Sequence, residues 1–120
     1  MQNSLAVLSE ELDDRARIAD LEDTVRDLAL GASMMLQPGI AHGALAEYAR
    51  DIARVTDAAL TSKAPTTPVR IHDLESALRE LVKGAAAKQE PGVASGAFVH
   101  FAHEVERVAL GSLPRIAAFA

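Results

Sequence analysis

Two segments, IADLEDTVRDLALGASMMLQPGIAHGALAEYARDIARVTDAAL at residues 18–60 and IHDLESALRELVKGAAAKQEPGVASGAFVHFAHEVERVALGSL at residues 71–113, match without a gap at an offset of 53. They are identical at 17 of 43 positions, whereas a composition this rich in alanine gives about 4 identities by chance. The matches include the Pro-Gly pairs at 38–39 and 91–92, which similar apolar periodicity alone does not produce. The sequence therefore predicts a tandem duplication.

Each unit has the pattern of a helix, a tight turn and a second helix. Apolar residues recur at i, i+3, i+4 and i+7, as they do on the buried face of an amphipathic helix. In the first helices they are Ile18, Leu21, Val25, Leu28, Ala32 and Met35, then Ile71, Leu74, Leu78, Leu81 and Ala85. In the second helices they are Ala41, Ala44, Leu45, Tyr48, Ile52 and Val55, then Ala94, Ala97, Phe98, Phe101, Val105 and Val108. The Pro-Gly pairs end the first helix of each unit.

One such hairpin cannot bury its own apolar stripe, whereas two facing hairpins can. We therefore expect an all-α protein, a pseudo-twofold four-helix bundle built from a duplicated helical hairpin with an N-terminal helical extension. All 120 residues form a single domain in this scheme. Its parts are an extension at 1–17, repeat 1 at 18–60, a linker at 61–68, repeat 2 at 69–113 and a tail at 114–120.

Local signals refine this scheme. Thr67-Pro68 predicts a helix start, with Thr67 as the N-cap and proline in the first turn. Leu113-Pro114 is expected to stop the last helix. Gly31-Ala32 and Gly84-Ala85 lie inside helices, where glycine is unfavourable, so we expect close helix contact there; the alternative is that glycine is merely tolerated at these positions. The residues expected to be nearly fully buried are Leu21, Leu28, Ile52, Leu74, Leu81, Phe101 and Val105.

Composition excludes several kinds of site. The chain has no cysteine, so it forms no disulfide, thiolate metal site or cysteine nucleophile. Its net charge is −5 and no Lys/Arg cluster exceeds a pair, so no nucleic-acid partner is expected. No apolar run is long enough for a membrane span, and no signal peptide is evident, so no membrane partner is expected either. We expect a soluble cytoplasmic protein, of bacterial type on its alanine content.

The two units differ on the side of their first helices that faces away from the core stripe. Leu30 and Met34 of repeat 1 correspond to Lys83 and Ala87 of repeat 2. Helical spacing places Leu30 and Met34 on the same face as three leucines of the extension, but Asp23 and Asp27 interrupt this face and divide it into two patches. We expect this face to be an interface formed by Leu5, Leu8, Leu12, Leu30 and Met34. The alternative is that residues 4–16 fold back and cover Leu30 and Met34 within the monomer.

Histidines also distinguish the units. His100 and His103 replace Glu47 and Arg50, and with Glu104 they lie within one helical turn. They are weak candidates for metal ligands, because a metal site needs at least three convergent donors. We therefore expect no metal site and no cofactor.

His42 offers a separate alternative. Ala41-His42 resembles the start of the histidine phosphotransfer motif, and proteins of that family are helical bundles with one exposed histidine. The Lys-Gly pair that should follow is absent, since Gly43-Ala44 stands in its place.

No nucleophile elbow, phosphate loop or zinc-protease signature occurs in the chain, so we expect it not to be an enzyme. We expect a helical interaction module, such as an adaptor, regulator, chaperone-like or inhibitor protein. Its partner is then itself, as a homodimer, or a helix of another protein. The alternatives are a small-molecule or metal-binding bundle and a histidine phosphotransfer-like domain.

Overall fold

The computed structural model of the chain describes the backbone of residues 2–114 and the side chains of residues 12–114. Four helices follow one another in it: α1 (Gln2–Met35), α2 (Gly43–Thr61), α3 (Thr67–Lys88) and α4 (Ala97–Gly111). α1 packs along α2, α3 packs along α4, and α1 and α3 form the main contact between the two hairpins. The protein is an all-α four-helix bundle, as the sequence predicts. None of the four helices combines the length and the apolar character that crossing a membrane requires.

The two Pro-Gly pairs form the same turn. In the first hairpin the Ile40 amide donates a hydrogen bond to the Gln37 carbonyl oxygen at 3.2 Å, and Gly39 has a φ of +84°. The second hairpin repeats this turn at residues 90–93, with Gly92 at a φ of +85°. Proline before a glycine with positive φ is the pattern of a type II turn, which a residue with a Cβ adopts only with strain. The matched pairs therefore reverse the chain between helices.

The core lies between the two hairpins, and equivalent positions are buried to the same extent. Leu21 and its equivalent Leu74 are both 0% exposed, and Leu28 and Leu81 are both 5% exposed. All seven residues expected in the core are buried, which confirms that prediction. Alanines complete the core at points where two helices come together: Ala32, Ala49, Ala85, Ala102 and Ala109.

Two ion pairs cross from one hairpin to the other. Arg17 of α1 binds Glu75 of α3 at 2.8 Å, and Arg70 of α3 binds Glu22 of α1 at 2.9 Å. Adding 53 to Arg17 and Glu22 gives Arg70 and Glu75, so each pair is converted into the other when the hairpins are exchanged. Such reciprocal contacts are those of a twofold arrangement. The tandem duplication that would explain them stays a prediction.

Two helix boundaries differ from the sequence prediction. The N-cap of α3 is Thr66 and not Thr67, because the Thr66 hydroxyl accepts a hydrogen bond from the Val69 amide at 3.4 Å. α4 ends at Gly111 with Ser112 as its C-cap, before Leu113-Pro114 is reached. The predicted tail at 115–120 lies outside the described residues.

The expectation of close helix contact at Gly31 and Gly84 is wrong. A Cβ placed on either glycine would meet nothing within 4 Å. The residues after them, Ala32 and Ala85, are the ones that pack in the core, each 0% exposed. The small side chain needed where the helices meet is therefore alanine.

Candidate interaction surface

α1 is much longer than its equivalent α3. It contains 34 residues against 22 and runs without interruption from Gln2 to Met35. At the offset of 53, the first residue of α3 corresponds to Asp14, so residues 2–13 have no counterpart in α3. At 1.5 Å per residue this extra segment is about 18 Å long. The alternative in which residues 4–16 fold back is wrong, because they belong to the same continuous helix as Leu30 and Met34, the residues they were expected to cover.

The outer face of α1, defined here by Leu12, Ala16, Ala19, Leu30 and Met34, lies opposite the core stripe of the same helix. Each of the five residues is exposed. Leu12 and Leu30 are 61% exposed and Met34 is 57% exposed, among the highest values for large apolar side chains in the described part of the chain. Leu5 and Leu8, also expected on this face, lie outside the residues whose side chains the structure describes. Leu30 and Met34 lie one turn apart, whereas Leu12 lies about 27 Å away along α1 with the exposed side chains of Asp23 and Arg26 between them, so the outer face consists of two apolar patches.

α3 supplies an internal comparison for this surface. Its residues at the positions of Leu30 and Met34 are Lys83 and Ala87, and both are exposed. The two hairpins therefore share a buried stripe but not an outer one. The exposed pair Leu30 and Met34 therefore has no apolar equivalent of that size in α3.

The net charge of the chain is concentrated on the same helix. α1 contains eight Asp or Glu residues and three Arg, which gives −5, equal to the net charge of the whole chain. The remaining residues contain nine acidic and nine basic side chains. The apolar outer face is therefore set in the acidic part of the molecule.

Aspartates form a row along one edge of the outer face. Asp13, Asp20 and Asp27 are spaced by seven residues and are all exposed. Seven residues make almost two helical turns, so the three carboxylates lie on one side of α1 at intervals of about 10 Å. Asp23 and Asp27 also border Leu30 in a shallow depression of the same surface. We call Asp13, Asp20 and Asp27 the aspartate row.

Few cations neutralise this row. Arg17 approaches Asp20 at 3.6 Å, but the side chain of Asp20 remains 62% exposed. The pKa of Arg107 is raised chiefly by its hydrogen bond to Glu104, with a smaller contribution from the charge of Asp27. Within residues 12–114, no Lys or Arg forms an ion pair with Asp13. The row therefore presents carboxylates that a partner could bind.

We compared the chain with protein-family models, curated proteins and solved structures. It matches none of them. No activity, ligand or partner is therefore transferred from another protein, and function is inferred from the residues and contacts of this chain.

The histidine candidates do not converge with other ligands. His100 and His103 are both exposed on α4, and Nδ1 of His103 lies 3.3 Å from the side-chain oxygen of Gln89. Glu104 is bound by Arg107 at 2.7 Å, and this hydrogen bond lowers the pKa of the Glu104 carboxyl. Between residues 12 and 114, no three His, Asp or Glu side chains are grouped to hold a metal ion.

His42 precedes α2 as its N-cap residue. Its side chain is exposed and makes no capping hydrogen bond. His42 lies between α1 and α2, whereas His100 and His103 lie on α4.

Tyr48 is a buried polar residue away from the outer face. Its ring stacks on Phe98 at 5.4 Å and meets Phe101 edge-on at 5.8 Å, which joins α2 to α4. The hydroxyl is buried without a hydrogen-bond partner among the described residues. Burial, and secondarily the charge of Glu106, raises the pKa of Tyr48 to about 12. The sequence placed Tyr48 on the apolar stripe but gave no sign that its hydroxyl would be unpaired.

Proposed function

We propose that this protein is a non-enzymatic helical module that acts through protein–protein contact at the outer face of α1. The roles that fit such a module are those of an adaptor, a regulator, a chaperone-like protein or an inhibitor. The observation that carries the proposal is the exposure of Leu12, Leu30 and Met34 on one face of a helix that is longer than its equivalent. Large apolar side chains grouped on the surface of a small domain are typical of an interface.

The energy available from this face supports the proposal. Burying one leucine or methionine side chain completely contributes about 1.5–3 kcal/mol. The exposed parts of Leu12, Leu30 and Met34 together contribute on the order of 4 kcal/mol before the cost of association. Leu5 and Leu8, which have the same helical register in the sequence, belong to the proposed interface and add to this figure.

The separation of the buried face and the outer face of α1 also supports the proposal. Leu21, Val25 and Leu28 hold the helix to the bundle and are at most 5% exposed. The outer face contributes nothing to that core. A substitution on the outer face therefore changes assembly without removing core contacts.

The occupant of the face is a second copy of this chain or a helix of another protein, and both belong to the proposed function. A cytoplasmic location is part of the proposal. It is supported by the acidic composition, with a pI of about 5.3, and by the lack of any cysteine that an oxidising compartment would pair.

Matched double variants test the proposal. Leu30→Glu with Met34→Glu alters the outer face of α1, and Lys83→Glu with Ala87→Glu alters the equivalent face of α3. In extract from the source cells, we expect the wild type to migrate in size-exclusion chromatography above its 12.7 kDa monomer mass. The α1 variant should migrate as a folded monomer, and the α3 variant should migrate as the wild type does. Monomeric migration of all three proteins contradicts the proposal.

A further inference from the structure

We propose that the occupant of the outer face is a basic amphipathic helix of another protein, whose Lys or Arg residues repeat every seven positions beside its apolar stripe. This inference rests on the proposed function and identifies the partner class that the face recognises. The observations that carry it are the apolar outer face and the aspartate row along its edge.

The charge of α1 disfavours a second copy of the chain as the occupant. Each α1 carries a net −5, and face-to-face association would bring two such helices together. Like charges placed opposite each other at an interface oppose association and favour a partner of the other sign. The same charge opposes anionic surfaces, so phosphate backbones and acidic lipid headgroups are poor partners for this helix.

The spacing of the aspartate row specifies the form of the partner. Asp13, Asp20 and Asp27 repeat every seven residues, which matches the heptad period of two helices packed side by side. Neighbouring carboxylates lie about 10 Å apart, close to the screening length at physiological salt, so each interacts mainly with the cation nearest to it. A helix with a basic residue at every seventh position places one cation opposite each aspartate.

The apolar residues and the aspartates lie side by side. Leu30 borders the depression that also contains Asp23, Arg26 and Asp27, and Arg26 pairs with Asp23 at 3.4 Å. A partner helix that buries an apolar side chain against Leu30 therefore brings a flanking cation to Asp27, the carboxylate of the aspartate row in this depression. In α3, Lys83 occupies the position of Leu30, so α3 lacks the apolar surface there, although Asp73 and Glu80 stand at the positions of Asp20 and Asp27.

Two designed peptides test the inference with the full chain. The basic peptide has about three heptads with a leucine stripe and a flanking lysine in each heptad, and the acidic peptide replaces those lysines with glutamate. We expect titration calorimetry to show binding of the basic peptide that weakens as salt is raised, and no binding of the acidic peptide. Equal binding of the two peptides, or failure of the basic peptide to bind, overturns the inference.

Two charge-matched triple variants identify the carboxylates that bind the basic peptide. Replacing the aspartate row with asparagine (D13N, D20N and D27N) should raise the Kd of the basic peptide by about tenfold, as expected when three exposed ion pairs are lost. The control replaces Asp51, Asp57 and Glu80, three exposed acidic residues elsewhere, with their amides. It removes the same charge and should leave the Kd within about twofold. Equal weakening by both triple variants overturns the inference.

Other occupants give distinct results. A wild-type dimer in sedimentation that Leu30→Glu dissociates would identify a second copy and overturn the inference while the proposed function stands. Tighter peptide binding by Ile116→Ser with Phe119→Ser would identify the chain's own C-terminal residues as the occupant and also overturn it. The proposed function fails as well if two results occur together: the basic peptide does not bind, and the double variant Leu30→Glu with Met34→Glu migrates in size-exclusion chromatography as the wild type does.

Discussion

The guanidinium of Arg70 binds the Glu22 carboxylate at 2.9 Å and so joins α3 to α1. The same guanidinium donates to the carbonyl oxygens of Ala59 at 2.6 Å and Ser62 at 3.2 Å, at the end of α2. These carbonyls have no partner within α2, and a cation is favoured at the C-terminus of a helix. One side chain, 14% exposed, therefore ties three helices together.

Arg70→Met should lower the free energy of unfolding by about 2–4 kcal/mol, because it leaves Glu22 and the α2 carbonyls without their cation. Its equivalent, Arg17, binds Glu75 and Asp20 but caps no helix. Arg17→Met should therefore cost only about 1 kcal/mol. Urea denaturation of both variants measures the difference, and equal losses would show that the capping hydrogen bonds of Arg70 contribute nothing.

Gly31→Ala and Gly84→Ala should each raise the free energy of unfolding by about 0.5–1 kcal/mol. Alanine has the higher helix propensity, and a Cβ at either position meets nothing within 4 Å. Gly39→Ala and Gly92→Ala should instead destabilise the protein by about 1 kcal/mol, since both glycines have positive φ. Urea midpoints decide the sign for all four variants. A loss of stability in the helical pair would show a close contact that the structure does not contain.

Tyr48→Phe should stabilise the fold by about 1 kcal/mol, because it removes a buried hydroxyl that lacks a partner. The equivalent residue in the second hairpin is already a phenylalanine, Phe101, which is 8% exposed. Phe101→Tyr is the matched reverse change and should destabilise. Thermal unfolding of both variants tests the pair, and destabilisation by Tyr48→Phe would mean that the hydroxyl is hydrogen-bonded in solution.

Stability should fall at alkaline pH through Tyr48. Its folded pKa is about 12, above the ordinary value of 10.0, so the protonated hydroxyl is favoured in the fold. This contribution is complete below pH 10 and is lost as pH rises towards 12. Tyr48 is the only tyrosine and there is no tryptophan, so tyrosinate absorbance follows this group alone. A midpoint near 10 would contradict the burial of the hydroxyl.

Leu28→Ala and Leu81→Ala should each cost about 2–5 kcal/mol, as expected for a leucine deleted from a packed core. Because both side chains are 5% exposed at equivalent positions, the two losses should also be similar. Chemical denaturation gives both values. Losses below about 1 kcal/mol at both positions would mean that the core has been assigned to the wrong face of these helices.

The buried stripes could be predicted from sequence because their spacing is periodic and their neighbours are polar. Leu21 and Leu74, or Leu28 and Leu81, needed no tertiary information. The turns could also be predicted, because a Pro-Gly pair is typical of a turn in which glycine has a positive φ, as Gly39 does. Periodicity and turn chemistry therefore defined the four helices.

Other features depend on distances that the sequence does not contain. Thr66 and Thr67 are equally good N-caps by residue type. The backbone conformation decides between them, because the N-cap is the last residue before the helical φ and ψ angles begin. Local pattern gives no means of choosing between the two threonines. Gly31 lies about 100° around α1 from Ala32, and Ala32 belongs to the apolar stripe, so the periodicity itself favoured Ala32 as the residue in the core.

The ion pairs between hairpins did have a signal in the sequence. Arg17 and Arg70 also match at the offset of 53, one residue before the matched segments 18–60 and 71–113 begin. Extending the comparison by that residue adds the identical pair Arg17 and Arg70. Their ion-pair partners, Glu75 and Glu22, are also identical at this offset. The aspartate row had a signal as well, its seven-residue spacing, which a search for apolar periodicity passes over.

The claim that the outer face of α1 docks another polypeptide is tested most directly by cross-linking at Leu30. A photoreactive amino acid is placed at Leu30 in one variant and at the equivalent Lys83 in another, and both proteins are irradiated in the source cells. We expect a discrete adduct with a second polypeptide at position 30 and none at position 83. No adduct at either position, or the same adducts at both, would contradict the claim.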